Sequence, residues 1–203
     1  MLARSIAFLI WTISACALAA EPPTNSEPIQ LAQQAVELAE ASNTADLAAL
    51  FHYPPTYSQG EREEDIAGIA SLLSFIFSEF GKPAGTRTHT DPASYYEVGL
   101  FGSTIPYWES LSPFHTEQFV YSTSFSNAGS GFLIINIFKH NQSEIFEVQS
   151  FGVALSETST AKEKVIDLMI RGYERDGKPL PPGFRDTLET QLQLSTTSGK
   201  SNP

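Results

Sequence analysis

Three consecutive segments, Gln118 to Phe125 (QFVYSTSF), Gly131 to Lys139 (GFLIINIFK) and Glu144 to Ala154 (EIFEVQSFGVA), carry apolar or aromatic residues on both of their alternating positions. Short β-branched and aromatic runs bounded by turn residues read as strands. Asn127-Ala128-Gly129-Ser130 and His140-Asn141-Gln142-Ser143 are the turns between them. A sheet with water on one face would alternate apolar with polar residues. This sheet does not, so both of its faces need covers. Each Phe or Ile left exposed would forgo about 1.5–3 kcal/mol of burial.

Helices elsewhere in the chain supply the covering material. Residues 29–41 (IQLAQQAVELAEA) place Ile29, Ala32, Val36 and Ala39 on one stripe with Leu31, Ala35 and Leu38 beside it, and Pro28 suits a first helical turn. Thr44 can cap a short helix over 45–51, which His52-Tyr53-Pro54-Pro55 stops. A third helix starts in the acidic run Glu61 to Asp65 and ends at Gly81, with Ile66, Ile69, Leu73, Ile76, Phe77 and Phe80 at helical spacing. Ser94 to Phe101 reads as a further strand, and a short one fits 105–108. After Ser156 the chain turns helical again. Thr160 with Glu163 has the form of a capping box, and Val165, Leu168, Met169 and Gly172 make a stripe that reads as core. Asp176-Gly177 closes that helix and residues 184–194 form a last one. The fold class expected is α+β: N-terminal helices packed on an antiparallel sheet, with a C-terminal helical appendix.

Pairing Ser126 with Gly131, and Lys139 with Glu144, sets cross-strand aromatic and opposite-charge pairs against one another. In that register Tyr121, Asn136 and Glu147 form a polar row, with Thr123 and Gln149 one step along, ringed by Phe and Ile. The first helices would cover one face, and the appendix or a second subunit the other. A polar row within an apolar surround is the form of a small-ligand pocket. It is equally the form of a self-satisfied hydrogen-bond cluster. Buried among aromatics, Glu147 would hold its proton more tightly and could act as an acid or base. His52 and Tyr53, with Tyr57, form a pocket rim or else pack a loop against the sheet.

The first twenty residues have the three parts of an export signal: Arg4, the apolar run Ile6 to Ile13, and the small-residue site Ala17-Leu18-Ala19-Ala20. The apolar run is shorter than a membrane span of about 20 residues, and no later stretch is longer. The sole cysteine, Cys16, lies in this leader. Ile13-Ser14-Ala15-Cys16 also resembles a lipobox, in which Cys16 would become a lipidated first residue and anchor the chain to a membrane. Either way no disulfide staples the mature chain. The expected location is secreted or periplasmic. The organisation follows as signal peptide 1–20, linker 21–28, α+β domain 29–155, helical appendix 156–194 and disordered tail 195–203. With 12 Lys+Arg against 23 Asp+Glu in 203 residues, the formal charge of −11 disfavours nucleic acid and anionic lipid as partners.

A helix, a short break and Ala45-Asp46-Leu47-Ala48-Ala49-Leu50-Phe51 ahead of a longer helix and a meander resemble the nuclear transport factor 2-like (cystatin-like) superfamily. The resemblance covers about Ile29 to Leu155. It implies a cone-like fold, with a curved antiparallel sheet wrapped on a helix. Ketosteroid-isomerase-type members use a tyrosine on the first helix and an aspartate on a strand. Residues 29–41 have no tyrosine, and residues 118–154 have no aspartate.

Other chemistry finds little support. His52, His89, His115 and His140 are not at metal-ligand spacing, so neither a metal nor a cofactor is expected. Residues 127–131 lack the Gly-x-Ser-x-Gly spacing of a hydrolase elbow, and no phosphate-binding loop occurs. The tract Tyr107 to His115 is aromatic without a basic residue. The expectation is a non-enzymatic exported module that binds a small apolar or amphipathic ligand, or a protein partner, as a monomer or homodimer. The alternative is a proton-transfer enzyme of isomerase or dehydratase type, using Glu147 as base with Tyr121 or Asn136 polarising the substrate.

Overall fold

Pro28 opens the first helix, α1 (Pro28–Glu40), where its missing N–H leaves no hydrogen bond unmade. α2 (Thr44–Ala49) and α3 (Gln59–Phe80) follow, then strands β1 (Pro83–His89), β2 (Tyr95–Gly102), β3 (Phe114–Phe125), β4 (Gly129–His140) and β5 (Glu147–Ser156). Two helices close the chain, α4 (Ser159–Arg175) and α5 (Phe184–Ser198). The computed structural model describes residues 27–89, 95–102, 114–140 and 145–198. The leader with Cys16, the linker as far as residue 26, the short strand expected at 105–108, Asn141-Gln142-Ser143 and residues 199–203 lie outside them. The architecture is α+β, a strongly curled antiparallel half-barrel in the order β1-β3-β4-β5-β2 with helices packed on it.

Capping chemistry moves three helix starts. Asn43 caps α2 in place of Thr44, its side chain accepting from the Asp46 N–H. Ser58 caps α3 in a reciprocal box with Glu61, three residues ahead of the start of the acidic run. These bonds to Ser58 hold the Glu61 carboxyl below its ordinary range. Thr158 caps α4 by accepting from the Ala161 N–H at 3.0 Å, so the pair Thr160 and Glu163 is not the cap. α5 continues to Ser198, which puts residues 195–198 in a helix and not in the expected tail.

β1 has no counterpart in the strand pattern of the sequence. Its residues PAGTRTH show no apolar alternation because it is an edge strand, paired only with β3 and bulged between Ala84 and Arg87. Glu40 of α1 accepts from the Thr86 N–H at 3.0 Å and so satisfies part of its backbone.

The register of the central strands differs from the expected one. Phe125 pairs with Gly129 and Tyr121 with Leu133, a shift of three residues from the pairing of Ser126 with Gly131. The turn is three residues long, Ser126 to Ala128, and Gly129 (φ +91°) takes the left-handed conformation that closes such a turn. The Asn127 and Ala128 N–H groups both donate to the Phe80 carbonyl, docking the turn on the end of α3. An odd shift carries side chains to the opposite face. Phe119, Tyr121 and Phe125 therefore join Leu133, Ile135 and Ile137 on the helix-covered face. Between β4 and β5, Asn136 pairs with Ser150 and Phe138 with Glu147, and Gln149 is the extra residue of a bulge.

The helix-covered face is filled by its own side chains. Leu133, Ile135, Ile137, Val148, Phe151, Val153 and Leu155 are at most 1% exposed, in one cluster with Ala32, Ala35, Leu47 and Leu73. The C-terminal helices extend this same core through Val165, Ile166, Leu168, Leu188 and Leu192. They do not cover the second face, as the assumed register required. α4 lies instead against β2, β5 and α3, with Arg171 paired to Glu79 and Arg175 over the Phe75 ring.

Gly131 marks the closest approach within the sheet. A Cβ there would stand 2.8 Å from the Phe125 ring and closer still to the Ala154 carbonyl oxygen. Gly131→Ala should lower stability by about 1–3 kcal/mol through overpacking. Gly129→Ala, with open space around it, should lower it by roughly 1 kcal/mol through backbone conformation alone. Urea unfolding midpoints measure both; equal losses would refute the close packing of Phe125 on Gly131.

Candidate functional site

Leu50 to His52 pair with the outer edge of β5 beyond the end of β2. The His52 N–H donates to the Val148 carbonyl at 2.9 Å, the Val148 N–H donates to the Leu50 carbonyl, and Phe51 bridges Val148 in parallel sense. Phe51 enters the core, and His52 falls on the opposite face. There its Nδ1 lies 2.9 Å from Glu147 Oε2, and its ring meets the Phe138 ring edge-on at 4.9 Å. The histidine is buried, whereas the Glu147 side chain is 38% exposed. A carboxylate facing Nδ1 favours the tautomer that carries its proton there.

The expected polar row is dispersed. Tyr121 is in the helix-side core, where burial raises its phenol pKa, and it does not reach Asn136 or Glu147. Asn136 lies on the other face between two cross-strand neighbours. Its amide donates to Ser150 Oγ at 2.7 Å and accepts from Gln118 at 3.0 Å, so the self-satisfied reading fits it. Thr123 is buried at the β1 bulge, with its hydroxyl donating to the Ala84 carbonyl and accepting from the Ala84 N–H. Gln149 occupies the β5 bulge. Of the rim residues, His52 meets Glu147. Tyr53 turns the other way, its hydroxyl donating to the Ala48 carbonyl at 2.8 Å under the Arg62 guanidinium. Tyr57 is exposed.

A second grouping lies at the other end of that face. A shallow trough of about 380 Å³ is lined by Arg87 of β1, Ser122 and Ser124 of β3, Ser130 and Phe132 of β4 and Ser156 of β5, with Thr123 at its margin. Register explains the convergence. Arg87 is opposite Ser122, Ser122 opposite Phe132, and Ser124 opposite Ser130, and directly paired residues share a face. Phe132 is the apolar end of the trough. It packs with Ile134, Ala154, Val120 and Tyr95, and the His89 ring stands 5.4 Å from its own. The sequence carries a trace of this site in the alternate serines of Ser122-Thr123-Ser124, but the Arg87 side needs β1. Among the described residues no group of three or more acidic, histidine or cysteine side chains is placed to hold a metal ion, and no helix is long and apolar enough to cross a membrane.

Compared with known proteins, the chain matches no family model, no curated protein and no solved structure.

Two measurements check this geometry. A double-mutant cycle of His52→Gln and Glu147→Gln should give a coupling of about 1 kcal/mol, modest because the carboxylate is partly in water. Additive losses would refute the pair. Burial pushes the Tyr53 phenol from about 10 up to about 12. Stability tied to the neutral phenol is thus complete below pH 10 and is lost as pH rises through about 12. Tyr53→Phe should remove part of that alkaline loss in chemical unfolding, and an unchanged alkaline slope would contradict its burial.

Proposed function

We propose that the chain is an exported module of nuclear transport factor 2-like type that binds a small amphipathic ligand without altering it, and that the trough around Phe132 is where the ligand docks. One observation carries this reading: an arginine and serines from four strands share one trough with Phe132, whose ring packs on apolar side chains. Polar groups grouped at one end of an apolar surface suit a ligand with a polar head and an apolar body. The helix-covered face, filled by side chains, offers such a ligand no comparable surface. The export-signal pattern of residues 1–20 supports a site of action outside the cytoplasm.

Proton transfer is the second reading, favoured by the 2.9 Å contact between His52 and Glu147. A histidine oriented by a carboxylate can serve as a base. Tyr121 and Asn136, the expected polarising groups, are not beside it.

Titrating the ¹⁵N-labelled chain with octyl glucoside below its micelle concentration separates the readings. Binding should shift the amides of Ser122, Ser124, Ser130 and Phe132, and the shifts should survive Glu147→Gln. Shifts confined to His52 and Glu147, abolished in Glu147→Gln, would replace the first reading by the second. Intact mass of the exported chain tests the address: the start should follow Ala19 or Ala20. A start at Cys16 with added acyl mass would make it a lipoprotein, and an uncleaved leader would overturn the export reading.

A further inference from the structure

We infer that the trough selects an anionic head, and that its ligand is a carboxylate-bearing amphiphile held by Arg87; the inference rests on the binding-module reading above. Arg87 is exposed at the β1 bulge, and its guanidinium makes no ion pair among the described residues. The other arginines near acidic side chains are engaged: Arg171 with Glu79, Arg175 with Asp176, and Arg185 with Glu163 and Asp167. The backbone beneath Arg87 is fixed, since Ser122 Oγ donates to the Arg87 carbonyl at 3.3 Å.

Among the described residues no carboxylate lines the trough. Glu40, the acidic side chain that reaches β1, accepts from the Thr86 N–H, and Glu157, next in the chain after Ser156, is not part of the lining. In a chain of formal charge −11, an exposed arginine without an ion pair among the described residues, in a trough shared with several serines, stands out as a place for an anion. A guanidinium presents two parallel N–H donors that match the two oxygens of a carboxylate, and serine hydroxyls supply further donors. Phe132, across β3 from Arg87 in the same trough and 9% exposed, gives the hydrocarbon part the rim of an aromatic cluster to lie against. Head and tail contacts on one short surface therefore specify a molecule with both parts.

The test uses two probes with tails of seven and eight carbons, sodium octanoate and octyl glucoside, titrated below their micelle concentrations at low salt and followed by the amide shifts of the trough residues. Octanoate should bind about tenfold more tightly than octyl glucoside. Arg87→Gln should abolish that advantage, weakening octanoate about tenfold more than octyl glucoside. Arg87→Lys should keep part of it, because charge remains without the paired donors. Raising the salt should weaken octanoate alone. Equal binding of the two probes, or octanoate binding unaffected by Arg87→Gln, would overturn the anionic-head inference while the binding-module reading stood. If neither probe shifted the trough amides, both would fall. Arg87 is exposed, so its variants should fold, and an unchanged amide spectrum away from β1 verifies this.

Discussion

The register between β3 and β4 governs the rest of the molecule. A three-residue turn, closed by Gly129 in the left-handed region and tied by two N–H groups to the end of α3, puts Phe125 opposite Gly129. Every side chain of β3 takes its face from that one pairing. Tyr121 and Phe125 turn toward the helices, Ser122 and Ser124 turn away, and the absent side chain of Gly131 leaves room for the Phe125 ring. A turn one residue longer would exchange these sets, placing a phenol among serines and serine hydroxyls in the core.

With the register settled, the two faces divide the work. The helix side holds the fold together through a continuous apolar cluster shared by the five described helices and the sheet. The other side combines apolar and polar surface. His52 and Glu147 cover Phe138 at one end, and the trough around Phe132 opens at the other. Between them Asn136, Gln118 and Ser150 satisfy one another, which lets polar atoms sit on a largely apolar sheet without loss. The proposed module reading draws on this division: stability rests on the sealed face, and the proposed ligand site lies on the other.

Much of the fold was legible from side-chain periodicity. The core stripes of α1 and α3, the apolar run of β4 and the helical character after Ser156 follow from spacing alone, because those elements bury a face. Turn length was not legible in the same way, since Asn127-Ala128-Gly129-Ser130 fits loops of three or four residues and only Gly129's conformation and the contact with Phe80 choose between them. β1 escaped because an edge strand need not alternate, and the Gln149 bulge because nothing local announces it. At the site, His52 and Glu147 were each identifiable as chemically interesting. Their meeting depends on a parallel bridge between Phe51 and Val148, a contact spanning nearly half the chain that no local pattern encodes.

Backbone nuclear Overhauser contacts across β3 and β4 test the register most directly. The account predicts contacts between Tyr121 and Leu133 and between Gln118 and Asn136, the pairs that face one another in the sheet. Contacts between Tyr121 and Asn136 in their place would contradict it, return the phenol to the polar row and dissolve the serine-lined trough.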